Sequence, residues 1–330
     1  MKYLMLVAFI TSLMGGNLFG KEADHIKAML PMTQDFIKAK EMALAYRKPL
    51  AVLFTGSDWC PYSRRLLEDT IFTKEFSEEV KKYFVFVHVD FPELNPHPSK
   101  QLIEQNYLLK EKFQVKDFPV LILMDEEAHE ITRMGFSAET SSQYGKHLVA
   151  LLKKYTEIKS SLDAKAANPF SDLKQHYIEA RELGSDYLIE KILNLGLKQD
   201  RDCFFHLEKY SYSTGEEKKE LRKKILSLDK EHKTSVALRL AILDYQELQR
   251  SHSEDALAPL LEYAKSAGLD ASQENWRVHM LISQHLSLEG HIDEALEHAQ
   301  LSLKLAPEGH QAEIKRSIKL LSAGMIAQQR

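Results

Sequence analysis

The residues of this chain that are best suited to chemistry lie in the stretch GSDWCPYS, residues 56–63. Its Cys60 follows Trp59 and precedes Pro61, which is suited to the first turn of a helix. A cysteine at the start of a helix faces unpaired backbone N–H groups and the positive end of the helix dipole, and both stabilise a thiolate. Because only the thiolate attacks a disulfide, we expect Cys60 to be a nucleophile.

Side chains next to Cys60 would shape the surroundings of its thiol. We expect Trp59 to shield one side of the sulfur and Tyr62 to present an exposed ring to a peptide. Arg64 and Arg65 would add positive potential if they point toward the sulfur. The alternative is an inert cysteine in a domain that is kept for binding, and the presence of Trp59 with Pro61 favours activity over it.

The segments around this stretch predict the elements that position it. Apolar residues at helical spacing predict a helix over 33–45, and LAVLFTG predicts a buried strand. The other predictions are, in chain order, a helix from Pro61 through YSRRLLEDTIF, a helix over 73–83, the strand FVFVHVD, the Pro-rich loop FPELNPHPS, the helix KQLIEQNYLLKEKFQV, the strands VLILMD and HEITRMGF around a turn at 125–127, and a helix over 139–158. This order predicts an α/β layer built on a mixed sheet flanked by helices.

The chain contains three separated motifs, which are, in chain order, FTGSDWC, VDFPELNPHPS and FQVKDFPVLILMD. On these motifs the chain from Lys48 to Phe136 resembles a thioredoxin-fold domain, and is similar to exported bacterial disulfide isomerases or reductases. The resemblance implies that Cys60 is the nucleophile and that Pro119 is a cis-proline whose loop faces it. A cis bond between Phe118 and Pro119 would leave backbone groups free to pair with an extended substrate.

The chain departs from that family at Ser63, where the family has a second cysteine that releases the substrate. A serine hydroxyl ionises far above neutral pH and forms no disulfide, so a mixed disulfide on Cys60 must wait for another thiol. If that thiol belongs to the client, the net result is isomerisation; if it is a small thiol or a partner protein, the result is reduction. Phe54 stands where many thioredoxins carry a buried Asp.

Residues after about 165 show no strand pattern and predict successive helices, over 171–184, 185–196, 216–228 and 237–250. The fragments EDAL at 254–257 and DEAL at 293–296 suggest a repeat. The second copy resembles one tetratricopeptide repeat through four residues, Trp276, Gly290, Ala295 and Pro307. We therefore expect a signal peptide at 1–20, a thioredoxin-like domain at 21–160 and an all-α, tetratricopeptide-like domain at 161–330.

The signal peptide is predicted by Lys2, the apolar run to Met14 and the small residues that follow. It predicts export to an oxidising compartment, which we expect to be the periplasm. The only other cysteine, Cys203, is expected to be a core thiol, with a bridge to Cys60 as the alternative.

We predict no metal and no cofactor, because four histidines near the end of the chain are expected on the surface, namely His279, His285, His291 and His298. The chain has 44 basic and 48 acidic residues, a net charge of −4. This balance lacks the excess of positive charge that binding to nucleic acid phosphates requires.

These observations favour an exported thiol–disulfide exchange protein, isomerase-like, in which Cys60 is the single nucleophile. The thiol of Cys60 would be surrounded by six residues, namely Trp59, Pro61, Tyr62, Ser63, Phe118 and Pro119. Its partners would be cysteine-containing exported clients and a reducing partner or small thiol. The alternative is a client-binding or retention scaffold that does not turn over, with a helical-repeat half for interaction.

Overall fold

The computed structural model describes residues 30–94, 99–164, 169–200, 202–228, 236–267 and 274–328. The predicted signal peptide, residues 1–20, lies outside the described residues. By its contacts the chain divides into two compact units, of which the first ends at Leu195 and the second begins at Gly196.

The first unit contains a five-stranded mixed sheet in the order β1-β3-β2-β4-β5. The strands are β1 Met32–Thr33, β2 Leu50–Thr55, β3 Val85–Asp90, β4 Val120–Met124 and β5 Glu130–Met134. β3 runs parallel to both β1 and β2, whereas β4 is antiparallel to β2 and to β5. All six residues of β2 are buried because the strand is central and covered on both faces, which explains its uninterrupted apolar sequence.

Helices flank this sheet, and polar side chains fix where several of them begin. Their bounds are α1 Phe36–Tyr46, α2 Pro61–Leu66 with a π-helical turn Leu67–Ile71 after it, α3 Lys74–Val80, α4 Lys100–Lys112, α5 Ser141–Asp163, α6 Phe170–Leu183 and α7 Asp186–Gly196. Asp35, Thr73 and Ser99 each accept a hydrogen bond from a backbone N–H of the helix they precede. Thr140 and Gln143 form a reciprocal capping box at α5. This architecture is the thioredoxin-like fold expected from the sequence.

The start of α1 differs from the sequence prediction. Thr33 does not open the helix, because Met32 and Thr33 pair with Phe86 and Val87 as a short edge strand. The helix begins after Asp35, whose carboxylate accepts from the N–H of Lys38 at 3.0 Å. Backbone pairing across the sheet thus takes residues that local periodicity assigns to the helix.

The core of this unit lies on both faces of the sheet. On one face the ring of Phe113 meets Phe36 of α1 and Phe54 of β2 edge-on, at centroid distances of 6.0 and 6.3 Å. On the other face Phe76 of α3 packs on Phe86 and on Tyr144 of α5, at 6.0 and 6.2 Å. Phe54, at the position of the thioredoxin Asp, is fully buried in this aromatic packing.

The helices α6 and α7 belong to the first unit, so the division by contacts falls later than the predicted boundary at 160/161. One reason is that α5 continues without a break to Asp163. The other is direct contact: Ser185 Oγ donates to the carbonyl oxygen of Glu130 at 2.9 Å, and the rings of His129 and Tyr187 stack at 4.0 Å.

Within its described residues the second unit consists of helices and the turns that join them. Its helices are α8 Phe204–Tyr212, α9 Gly215–Leu228, α10 Val236–Arg250, α11 Ala258–Ala267, α12 Asn275–Leu288, α13 Ile292–Leu305 and α14 Glu308–Gln328. Gly290, with φ of 86°, makes the turn between α12 and α13, and Ala295 of α13 is fully buried. Gly290 thus lies in a turn and Ala295 at a packed position, the places that the repeat resemblance implies for them. The tetratricopeptide identity of the unit stays a prediction. None of the described helices is both long and apolar enough to cross a membrane.

Candidate active site

Cys60 occupies the N-cap of α2, with Pro61 as the first helical residue. Its backbone N–H donates to the carbonyl oxygen of Gly56 at 2.8 Å, which closes the turn between β2 and the helix. The residue keeps 7% of its surface exposed, so its thiol is shielded yet lines a surface groove. The turn and the helix together therefore hold the thiol where the first backbone N–H groups of α2 converge.

Ser63 is fully buried on the first turn of α2 and contacts this thiol. Its hydroxyl oxygen accepts a hydrogen bond from the N–H of Gly56 at 3.2 Å. With one acceptor position used in this way, its proton is free to point to the sulfur of Cys60. Ser63 is therefore placed to donate to a thiolate, although it cannot attack a disulfide.

The surroundings of Cys60 favour the ionised form of its thiol. Burial by itself raises the pKa of Cys60, but hydrogen bonds from the Ser63 hydroxyl and from the N–H groups of Ser63 and Tyr62 oppose it. The positive charge of Arg64 adds to them, and the pKa of the Cys60 thiol lies below its ordinary 9.0. A larger fraction of thiolate at neutral pH follows.

The loop before β4 lies against the thiol. The Phe118–Pro119 peptide bond is cis, and the sulfur of Cys60 lies 3.6 Å from the carbonyl oxygen of Phe118. Pro119 is buried and Phe118 is half-buried. The structure thus brings together Cys60, Ser63, Phe118 and Pro119 from two separate segments of the chain.

Trp59 is held in one orientation beside this loop. Its indole N–H donates to the carbonyl oxygen of Phe91 at 2.7 Å, and its ring meets Phe118 edge-on at 5.7 Å. The ring also lies on Gly56, where a Cβ atom would come within 2.3 Å of Trp59 Cε2. Glycine at position 56 is therefore required for the observed place of Trp59.

The remaining predicted residues divide between the site and its edge. Tyr62 is 58% exposed and packs on Phe136, at a centroid distance of 5.6 Å. Arg64 donates to the carbonyl oxygen of Asp58 at 2.8 Å and contributes charge at the thiol. Arg65, which was expected to share that role, instead lies over the Phe136 ring and pairs with Asp69 four residues on along its own helical face.

Two carboxylates that the sequence analysis did not single out fix the active stretch. Asp58 accepts from the N–H groups of Glu93 and Leu94, at 2.9 and 2.7 Å, which ties the stretch to the loop after β3. Asp90 accepts from Thr55 Oγ1 at 2.6 Å and from the N–H of Ser57 at 2.9 Å. The sequence shows both residues inside recognisable motifs, DWC and VDFP. It does not show their hydrogen-bond partners, because these lie more than 30 positions away along the chain.

Outside this site, Cys203 is a core thiol, as predicted. It is 2% exposed, packs with Leu207, Tyr210 and Ile225, and is not in a disulfide. The expectation of four surface histidines is wrong for His279, which is 6% exposed. His285 and His298 are half-buried, and of the four only His291 is exposed. The antiparallel hairpin of α12 and α13 brings the Nδ1 of His279 within 3.0 Å of the Nδ1 of His298.

A ligand-type cluster of Asp125, Glu127 and His129 lies in the turn between β4 and β5. The carboxylate of Asp125 already accepts from the ammonium group of Lys159 at 2.9 Å and from the hydroxyl of Tyr155 at 2.8 Å. Because Lys159 already forms an ion pair with the Asp125 carboxylate, we interpret the cluster as a structural ion pair rather than as a metal centre.

Comparison with known proteins gives relatives over most of the chain. The profile of a family described as Thioredoxin-like domain matches residues 36–148. The thioredoxin-related protein DsbJ of Chlamydia pneumoniae is 28% identical over 315 residues, 91% of this chain and 89% of the relative. The disulfide bond reductase DsbH of Chlamydia pneumoniae is 31% identical over 120 residues, 36% of this chain and 72% of the relative. A solved structure titled DsbH oxidoreductase matches at 29% identity with a TM-score of 0.35, over 37% of this chain and 83% of that one.

Proposed function

The chain belongs to the thioredoxin-like family, and from that premise we propose that it exchanges disulfides with client proteins through Cys60 as its single nucleophile. Thiol–disulfide oxidoreductase chemistry fits the names of its relatives, a thioredoxin-related protein and a disulfide bond reductase. The observation that carries the proposal is a thiol at a helix start, with a lowered pKa, held against the Phe118–Pro119 loop.

The first step is capture of a client. The Cys60 thiolate attacks one sulfur of a client disulfide, the Cys60–client S–S bond forms, and the other client sulfur leaves as a thiolate. We propose that five residues near the thiol hold the client, namely Trp59, Pro61, Tyr62, Phe118 and Pro119. Ser63 takes part by stabilising the thiolate before the attack, not by resolving the product.

Release of the client needs a thiol that the site does not contain, since Ser63 stands where a second cysteine would act. When another thiolate of the same client attacks the client sulfur, Cys60 leaves as a thiolate and no net oxidation occurs, which is isomerisation. When two small thiols act in turn, the client is reduced and the small thiols become a disulfide. We favour isomerisation because the other thiols of a captured client are tethered at the site and react as intramolecular groups. Return of the thiol freed in the first step only restores the original disulfide, so a different client thiol completes the rearrangement.

The compartment and the helical unit complete the proposal. Export to the periplasm rests on the signal-peptide pattern at 1–20 and agrees with client disulfides, which persist in oxidising compartments. The helices α8–α14 would recruit cysteine-containing exported clients, in the way that stacked helices offer a surface to extended partners. The second candidate, a retention scaffold, uses the same capture step but holds the mixed disulfide without turnover, which the single thiol also supports.

The proposal is tested by reactivation of a protein substrate with scrambled disulfides. Wild type is compared with Cys60→Ala and, as the matched control at the other cysteine, with Cys203→Ala. We expect wild type and the control to restore the substrate repeatedly without added thiol, and Cys60→Ala to be inactive.

The other outcomes separate the alternatives. Net loss of client disulfides that scales with added glutathione, with glutathione disulfide as the other product, identifies a reductase. A stoichiometric adduct on Cys60 without turnover identifies the scaffold. Equal behaviour of wild type and Cys60→Ala, with no adduct on either, would contradict thiol exchange altogether.

A further inference from the structure

A groove of about 770 Å³ opens beside Cys60, whose side chain is part of its lining. Four aromatic rings follow one another along it, from Trp59 to Phe118, Phe91 and Tyr107. Successive ring centroids are 5.7, 5.2 and 5.4 Å apart. We call this row the aromatic groove. It joins the active stretch, the loop after β3, α4 and the loop before β4 in one surface.

Two of the four rings of the aromatic groove are exposed. Tyr107 is 61% exposed and Trp59 is 37% exposed, and both lie in the first unit. Exposed rings that line a concave surface indicate a place for an apolar ligand, because their burial on binding is favourable. Scattered exposed rings elsewhere would carry no such meaning, but these four are in contact with one another and with the lining that contains Cys60.

The covalent chemistry of Cys60 decides what reaches this groove. In a mixed disulfide the client Cα lies about 5.5–6 Å from the Cα of Cys60. An extended client then advances about 3.3 Å for each residue. The side chains about one to three positions from the client cysteine are therefore within reach of the row of rings. The occupant of the groove is thus the sequence next to the client cysteine.

The charges around the groove select against a client cation. The ammonium group of Lys110 lies 5.7 Å from the centroid of Phe91 and 5.3 Å from that of Phe118. Because Lys110 already lies over the rings of Phe91 and Phe118, a client Lys or Arg gains little at these two rings and meets a like charge. Lys116 adds a second cation to the lining, whereas Asp90, Glu93 and Asp117 are acidic, and Asp90 already accepts hydrogen bonds from Thr55 and Ser57. The position of Lys110 over the rings, rather than the net charge of the lining, therefore disfavours a client cation.

We propose that the aromatic groove makes the protein select client cysteines that have an aromatic side chain within about three residues, in preference to small or basic ones. This selectivity rests on the proposed function of Cys60 and adds a substrate class to it. It assigns Phe91, Tyr107 and Lys110, which lie outside the active stretch, to client recognition.

The test uses short peptides whose cysteine is activated as a mixed disulfide with thionitrobenzoate. Cys60 attacks the peptide sulfur and releases the coloured thionitrobenzoate anion, so the rate of capture is read directly. Phe, Ala or Lys is placed in turn at one, two and three positions from the cysteine, and each rate is divided by the rate with a small symmetric disulfide. With the full chain we expect Phe to exceed Ala by roughly tenfold at the best position, equivalent to about 1.4 kcal/mol, and Lys not to exceed Ala.

Variants of exposed residues identify the groove as the source of this preference. Tyr107→Ser should reduce the ratio of Phe to Ala, whereas Tyr46→Ser, a matched change at a tyrosine of α1 that is 66% exposed, should leave it unchanged. Lys110→Met should raise the rate of the Lys peptide relative to Ala, because the ring faces become free for a client cation.

Two results overturn the inference, and they are distinguishable. Equal rates for Phe and Ala at all three positions, with normal reaction of the small disulfide, refute the groove and leave the proposed function standing. Absence of reaction with the small disulfide as well refutes the nucleophile itself.

Discussion

The sulfur of Cys60 lies 3.6 Å from the carbonyl oxygen of Phe118, although the two residues are 58 positions apart. As a thiol, Cys60 can donate to this oxygen; as a thiolate it cannot, and it accepts instead from Ser63 and from the N–H groups at the start of α2. The site therefore has separate partners for the two protonation states. Among the groups that lower the pKa of Cys60, the hydroxyl of Ser63 makes the largest contribution.

Replacing Ser63 by alanine should raise the pKa of Cys60, because it removes the hydrogen bond that its hydroxyl gives to the thiolate. The rate of alkylation of Cys60 by iodoacetamide, followed by mass spectrometry of its peptide, should reach half its maximum at a higher pH than in wild type. The rate at pH 7 should fall several-fold. Ser141→Ala, which removes a hydroxyl on α5 that donates to Asp69, is the matched control. An unchanged midpoint in Ser63→Ala would mean that Ser63 has no part in ionisation.

Replacing Ser63 by cysteine should give the site a resolving thiol. Residues three positions apart on a helix have Cβ atoms about 5–6 Å apart, and a modest adjustment brings them to the distance of a disulfide. We expect Ser63→Cys to form an internal disulfide with Cys60 under mild oxidant, and its mixed disulfides with clients to be shorter-lived than those of wild type. Peptide mapping detects the bond; two thiols that persist under oxidant would show that the geometry does not allow resolution.

The carboxylate of Asp125 should stabilise the first unit through Lys159 and Tyr155. Burial by itself raises the pKa of Asp125, but the hydrogen bonds from Lys159, His129 and Tyr155 outweigh it and hold the pKa below its ordinary 3.8. A carboxyl group whose pKa is depressed in the folded state stabilises it above the unfolded pKa, and this stability is lost as the pH falls through the folded value. Asp125→Asn should therefore lower the free energy of unfolding near pH 7 and remove part of its decline in acid.

The expected loss for Asp125→Asn is about 3 kcal/mol, the lower end for removing one partner of a buried ion pair, because 18% of the Lys159 side chain is still exposed. Urea unfolding monitored at the first unit measures it. Glu182→Gln is the matched control, since its pair with Lys154 is largely exposed and should contribute less than about 1 kcal/mol. Equal effects of the two variants would contradict the role of the buried pair.

The pair His279 and His298 should make the hairpin of α12 and α13 sensitive to acid. Burial lowers the pKa of both rings below the ordinary 6.5; the charge of His298 lowers that of His279 further, while Glu297 and Glu294 act against the shift of His298. Near neutral pH one ring donates its Nδ1–H to the Nδ1 of the other, so the two rings are different tautomers.

Below pH 6.5 the unfolded chain binds more protons at these rings than the folded chain, so the stability of the hairpin should fall as the pH is lowered. Hydrogen exchange of the α12 and α13 amides at pH 7.5 and pH 5.5 measures this change. His298→Gln should weaken the dependence, and His291→Gln, at a histidine whose side chain is 56% exposed, should retain it. Identical pH dependence of exchange in wild type and His298→Gln would show that this histidine pair is not the cause of the acid sensitivity.

The sequence by itself determined the features that depend on neighbours along the chain. The apolar run LAVLFT became the central strand because each of its residues needs burial, and Pro61 placed Cys60 at a helix start because proline fits the first turn. The lack of a second thiol at Ser63 is equally a local fact, and it limits the chemistry whatever the fold. The core place of Cys203 followed from the apolar residues around it.

Only the tertiary structure decided which distant residues meet. The contact of Cys60 with Phe118, the tie from Asp58 to Glu93 and the aromatic groove arise where the sheet brings loop ends together. The burial of His279 against His298 likewise needs two helices to pack, which spacing along one helix cannot show. Side-chain partners depend on strand register and helix packing, and these are set by the whole core rather than by any one segment.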